Sequence, residues 1–185
     1  GMGRGNISEA SDHDYWSFGA QAGDLLTLAV ETLGSPANSQ LHYWVSRPDG
    51  GTVTEFYANT NGRAQSSPMV LPVSGNYLLY VSYNQSYFGE YRVRVSLARP
   101  PLQMETEAND QPNQANPLVL TLANGKQEAR VAGYVGSADS NGDYYQLGNQ
   151  AVGTRITLGL TQPGLSGLAG QMRIYNAAGQ EVAAS

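Results

Sequence analysis

The chain has 185 residues, a net charge of −5, 41 % hydrophobic and only 14 % charged residues, and no cysteine. That balance excludes a disordered chain, which lacks the apolar residues to fold, and a nucleic-acid binder, which needs a basic face. It also excludes a disulfide framework, a thiol nucleophile and a cysteine metal site, and no apolar run approaches the roughly 20 residues of a membrane-spanning helix. Strict alternation of apolar and polar residues dominates, and nothing holds a 3.6-residue period for long. Near the N-terminus Trp16 and Phe18 share a face and read as core. Strands are then predicted at 25–30, 41–46 and 53–57. In the second of these, His42 and Trp44 take the opposite phase from Leu41, Tyr43 and Val45, so they point outward. A strand at 76–83 turns Tyr77, Leu79 and Val81 inward and Tyr80 outward. The next, at 91–97, puts Tyr91, Val93, Val95 and Leu97 on one face and Arg92, Arg94 and Ser96 on the other. The polar and aromatic stretch 84–89, with Tyr87 and Phe88, reads as the loop of a hairpin joining these two strands. Further strands are predicted at 129–135, 144–147, 155–160 and 171–175. Short strands with a turn signal about every ten residues mean an all-β sandwich or barrel.

The pattern repeats. Gly5-Asn6-Ile7 and the later Asp14-Tyr15-Trp16 match Gly133-Tyr134-Val135 and Asp143-Tyr144-Tyr145. Gly23-Asp24-Leu25-Leu26-Thr27-Leu28 matches Gly153-Thr154-Arg155-Ile156-Thr157-Leu158, and Tyr43-Trp44-Val45 before Asp49-Gly50 matches Met172-Arg173-Ile174 before Ala178-Gly179. The offset stays at about 129 residues through all of these motifs. With Pro100-Pro101 marking a linker at 99–104, the expected organisation is two tandem antiparallel β-sandwich modules, jelly-roll-like, at 1–98 and 105–185. The first begins without a leader and the second is truncated at its C-terminus, before any equivalent of the strands at 75–97. Sandwiches with missing strands leave open edges. The expectation is therefore a piece of a longer chain with neighbouring domains, or a strand-exchanged dimer.

These motifs, in this order, resemble the bacterial pre-peptidase C-terminal domain, a β-sandwich of secreted proteases and other large extracellular proteins. The second copy carries Glu105-Thr106-Glu107-Ala108-Asn109-Asp110, Ala115-Asn116-Pro117-Leu118, Gly133-Tyr134-Val135 and Asp143-Tyr144-Tyr145. The first carries Asp14-Tyr15-Trp16, Gly75-Asn76-Tyr77 and Gly89-Glu90-Tyr91-Arg92-Val93. The resemblance implies a non-catalytic role outside the cell or at its surface. Some relatives bind collagen on a tyrosine-bearing sheet face, some bind calcium at an acidic leader, and others assist secretion or maturation of a neighbouring peptidase.

Two oxygen-rich segments suit calcium, which takes six to eight oxygen ligands. One is the leader, and the other is the turn Asp139-Ser140-Asn141-Gly142-Asp143. Carried over from the collagen-binding relatives, the metal candidates are Glu105, Glu107, Asn109, Asp110, Asp139 and Asp143, with Ser137 as a carbonyl donor. The alternative is a solvated acidic linker followed by an Asx-type turn. In the first copy Ser8, Glu9 and Asp12 form at best a weaker site. No Gly-x-Ser-x-Gly elbow or His-Glu-x-x-His helix accompanies His13 and His42, the two histidines, so no enzyme is expected. Ligand contact falls instead to aromatic and neighbouring side chains, with Trp44, His42, Tyr80 and Tyr87 as candidates. The expected partner is an extracellular protein or a polysaccharide, with no nucleic acid and no membrane insertion. A carbohydrate-binding module and a purely mechanical spacer are the alternatives.

Overall fold

The computed structural model describes residues 1–32, 40–58, 62–85, 87–135, 142–162, 164 and 166–185. The chain divides into two units: residues 1–107 with 129–132, and residues 108–128 with 133–185.

In the first unit nine strands build a two-layer sandwich. They are β1 (Met2–Ile7), β2 (His13–Ala20), β3 (Leu25–Thr32), β4 (Gln40–Ser46), β5 (Thr52–Tyr57), β6 (Arg63–Gln65), β7 (Met69–Val70), β8 (Gly75–Gln85) and β9 (Gly89–Ala98). One antiparallel sheet runs β1-β9-β3-β6, with β7 also on β3, and the other runs β2-β8-β4-β5. Alternation decides which residues meet between the layers. Ile7, Leu26, Leu28 and Val93 come from one sheet, and Leu41, Tyr43, Val45, Tyr77, Leu79 and Val81 from the other, all buried. Each such side chain contributes about 1.5–3 kcal/mol on burial. Trp16 and Phe18 lie on the core side, half-buried, as their phase requires. A short parallel pair, β10 (Leu102–Met104) with β14 (Arg130–Ala132), completes this unit.

The expected hairpin at 76–97 is not formed. β8 and β9 are adjacent in sequence but belong to opposite sheets, so the connection arches across the sandwich. Tyr87 explains the arch. Its ring is buried in the core at 6 % exposure, and its hydroxyl donates to the carbonyl of Glu90 at 2.6 Å. Gly89, at φ +144°, turns the backbone directly after it, close against that hydroxyl. A large ring with one polar tip is better placed filling the gap between two layers than standing in water.

The second unit is also β, but built from pairs. β11 (Asn116–Pro117) runs parallel to β15 (Tyr145–Gln146). β12 (Thr121–Ala123) and β13 (Lys126–Glu128) form a hairpin through Asn124 and Gly125, both at positive φ, the conformation a two-residue turn demands. β16 (Arg173–Tyr175) and β17 (Glu181–Ala184) form another. There the Asn176 side chain closes the turn by accepting the N–H groups of Ala178 and Gln180. The strand expected at 155–160 is absent. Ile156, Leu158 and Leu160 alternate as a strand would, but they are 37–49 % exposed and no described segment pairs with them. A strand exists only against a neighbour's ladder. In place of the second sandwich expected from the repeat, the described residues form these small sheets, and none of their apolar side chains is buried.

Candidate functional site

Antiparallel pairing places directly opposed residues on one face of a sheet. On the outer face of β2-β8-β4-β5 this produces two cross-strand rows. The first runs Tyr15, Tyr80, Trp44 and Glu55, and the second runs His13, Ser82, His42 and Tyr57. Tyr15 lies 5.1 Å from Tyr80 between ring centroids at a 58° tilt, and Trp44 stands edge-on to Tyr80 at 6.3 Å and 81°. His13 packs on Tyr80 at 5.2 Å, and His42 stacks on Tyr57 at 4.7 Å and 18°. Tyr15, Trp44, Tyr57 and Leu78 are exposed, whereas Tyr80 is half-buried among its neighbours. The result is a stepped aromatic surface whose perpendicular rings at Tyr80 and Trp44 make a corner.

Polar groups border the corner. His42 Nε2 lies 3.5 Å from Glu55 Oε2 and makes no hydrogen bond. Ser82, between the two histidines in the register, is buried. Of the four ligand candidates read from the sequence, the fold brings Trp44, His42 and Tyr80 together here. Tyr87 is a correction: it plugs the core and presents nothing to a ligand. His13, Tyr15, Glu55 and Tyr57 were missed. Their signal was available in phase, since Tyr15 alternates against Trp16 and Phe18 just as Trp44 does against Tyr43 and Val45.

The metal candidates lie along the leader and the later turn. In the first unit Glu105 is buried at the end of β10, its N–H donating to the Ala132 carbonyl at 3.1 Å, and Glu107 is half-buried. In the second unit Tyr144 donates its N–H to the Asn109 carbonyl at 2.9 Å, and Asn116 donates to the Tyr144 carbonyl at 2.9 Å. Those bonds draw Asn109 and Asp110 alongside the segment that begins with Asp143. Asn109 is fully buried with neither amide atom hydrogen-bonded, and Asp110 Oδ1 is likewise buried and unpartnered. Leaving such groups unsatisfied costs about 1–3 kcal/mol each, so buried oxygens of this kind call for a cation or water. The donor set is all oxygen, which suits calcium rather than zinc. The acidic groups among the described candidates are Glu105 and Glu107 in the first unit and Asp110 and Asp143 in the second. Asp139 and Ser137 lie outside the described residues.

The carboxyl groups of Asp12 and Asp24 are held below the ordinary carboxylate range. Asp12 is lowered by hydrogen bonds from the Ser8 N–H and hydroxyl, and Asp24 by the Arg99 guanidinium and then the Gln21 N–H. Asp12 therefore closes its own turn. Asp24 clamps a turn to the end of β9, with Arg99 Nε at 2.8 Å and Nη2 at 3.0 Å.

No family model and no curated protein matches this sequence. Among solved structures, the chain is similar to the pre-peptidase C-terminal domain of a collagenase from Bacillus anthracis. The likeness has a TM-score of 0.43 and 15 % identity, and covers 52 % of this chain and 88 % of that one. It is also similar to PliG, a periplasmic lysozyme inhibitor of g-type lysozyme from Aeromonas hydrophila, with a TM-score of 0.39 and 18 % identity over 53 % and 85 % of the two chains. A third is a carbohydrate-binding module in complex with calcium and xylotriose, at a TM-score of 0.32 and 10 % identity over 51 % and 87 %. The similarity to a pre-peptidase C-terminal domain thus extends over about half of the chain.

Proposed function

We propose that this chain is a non-catalytic binding module of a secreted or cell-surface bacterial protein, presenting the outer face of β2-β8-β4-β5 to an extracellular ligand. The observation that carries the reading is the aromatic surface itself. Tyr15, Trp44 and Tyr57 spread over three strands of one sheet, exposed although a full core lies directly beneath them. Large rings kept in water on a rigid sheet give contact area at little conformational cost. The test is retention on a panel of insoluble extracellular polymers, both protein and polysaccharide. The wild type is expected to bind at least one of them, and the Tyr15→Ser, Trp44→Ser, Tyr57→Ser triple variant to lose that binding with an unchanged unfolding midpoint. A triple variant that binds as well as the wild type sinks the reading.

Calcium belongs to the same reading as a brace. Asn109, Asp110 and Asp143 of the second unit would hold it, and a bound ion would satisfy the oxygens of Asn109 and Asp110. At a hundredfold excess over Kd such an ion adds about 2.7 kcal/mol to the folded state. Titration calorimetry is expected to give a calcium heat that magnesium does not reproduce and that Asp110→Ala abolishes. No heat with the wild type would sink the calcium reading.

A further inference from the structure

We propose that the ligand of this face is a neutral polysaccharide, lying across the strands with one sugar ring seated in the corner between Tyr80 and Trp44. The inference rests on the reading that this face is the binding surface, and adds the chemistry of what binds there. Charge is the first argument. β2, β4, β5 and β8 contain no lysine or arginine, and the formal charge contributed to the two rows is the carboxylate of Glu55. A polyanion such as a sulfated or uronic-acid glycan, a nucleic acid or an anionic lipid surface finds no lysine or arginine on these four strands to pair with.

Hydrogen-bonding capacity is the second argument. Two of the exposed rings have a polar neighbour on the next strand: Glu55 beside Trp44, and His42 beside Tyr57. Glu55 is an acceptor-only group at the open end of its row, its side chain 61 % exposed and 3.5 Å from the His42 imidazole. A sugar offers an apolar ring face to an aromatic side chain and, around its rim, hydroxyls that both donate and accept. A proline-rich strand offers rings and carbonyl acceptors as well, but almost no donors, and would leave the Glu55 carboxylate without a partner. The tilted, stepped arrangement of Tyr15, Tyr80 and Trp44 points to one polymer chain rather than a flat crystalline surface, which would require coplanar rings.

The experiment is affinity electrophoresis of the whole chain through gels containing a soluble neutral β-glucan, xylan or galactomannan. Heparin, polygalacturonate and gelatin gels serve as the other arms. Retardation is expected in at least one neutral glycan and not in the polyanions, and it should be insensitive to salt up to about 0.5 M. Trp44→Ala and Tyr15→Ala should each weaken retention by about tenfold or more, and Glu55→Gln by a smaller factor. Thermal unfolding of every variant is recorded alongside, and Tyr15→Ala, at the most exposed ring, keeps the test valid if Trp44→Ala fails to fold. Retardation by gelatin alone, lost in Trp44→Ala, overturns the glycan assignment and leaves the binding face standing. Retardation by the polyanions alone also overturns it. No retardation in any gel overturns the assignment and the binding-face reading together.

Discussion

Tyr43 and Tyr91 face each other edge-on in the core of the first unit at 6.3 Å, yet their hydroxyls fare differently. Tyr91 donates to Asp14 Oδ2 at 2.7 Å and accepts the Trp16 indole N–H at 2.8 Å, so its polar tip is fully employed. The Tyr43 hydroxyl is buried with no partner, and burial pushes that phenol far up. Removing the two hydroxyls should therefore have opposite effects. Tyr43→Phe deletes an unsatisfied group and is expected to raise stability by up to about 1 kcal/mol, whereas Tyr91→Phe strands an indole and a carboxylate and should cost about 1–3 kcal/mol. Denaturant unfolding of the two variants measures both signs. Gly5 shares the Tyr91 environment, because a Cβ there would sit 2.3 Å from the Tyr91 hydroxyl oxygen. Gly5→Ala should cost a further 1–3 kcal/mol, roughly that of overpacking, and Tyr91→Phe should relieve part of it. The outward phase of Trp44 was legible in the sequence, but this buried network was not. Its partners are 75 and 77 residues apart in the chain, beyond the reach of any local pattern.

At the scale of elements, alternation identified β3, β4, β5, β8 and β9, left β1, β6 and β7 unread, and failed on how β8 and β9 connect. The stretch 84–89 looks like a hairpin loop because it is polar at both ends. What decides otherwise is the single ring of Tyr87, which is worth more inside the sandwich than outside, and periodicity assigns no phase to a loop residue. The reverse happened at Asn124-Gly125, a strong two-residue turn signal that was missed because the flanking Thr-Leu-Ala and Lys-Gln-Glu segments are too polar to read as strands. The Asp24–Arg99 clamp ties the turn before β3 to the end of β9 and carries a pH signature. Asp24 and Asp12 both have folded pKa values below their unfolded ones. Their contribution is complete above the unfolded value of about 3.9 and is lost as pH falls through the folded value. The unfolding midpoint is expected to hold down to about pH 5 from these groups and to drop below about pH 4. Asp24→Asn should flatten that acid limb, as a thermal melt at each pH would record.

Taken whole, the molecule is asymmetric although its sequence repeats. All buried apolar side chains among the described residues belong to the first unit, while Val119, Leu122, Val152 and Val182 of the second stand in solvent. The repeat could be read because turn glycines and paired aromatics recur at a fixed offset. The exposure of the apolar side chains among the described residues of the second unit could not, because alternation states which face is apolar and not whether anything covers it. Amide exchange should separate the units. Protection in β3, β8 and β9 is expected to approach that of global unfolding, and in β11, β15, β16 and β17 to be lower by orders of magnitude. Equal protection in both units would contradict this. The arch between β8 and β9 also fixes when the first unit can fold. Among the described residues β1 pairs with β9 and β2 with β8, so the first two strands of the sandwich are completed by its last two. Neither sheet can close until residue 98 is available, which gives the unit a high contact order and places its folding in the milliseconds-to-seconds range. A nascent chain with that wiring carries β1 and β2 as unpaired edges until β8 and β9 have been made, and that interval is when wrong pairing is open to it.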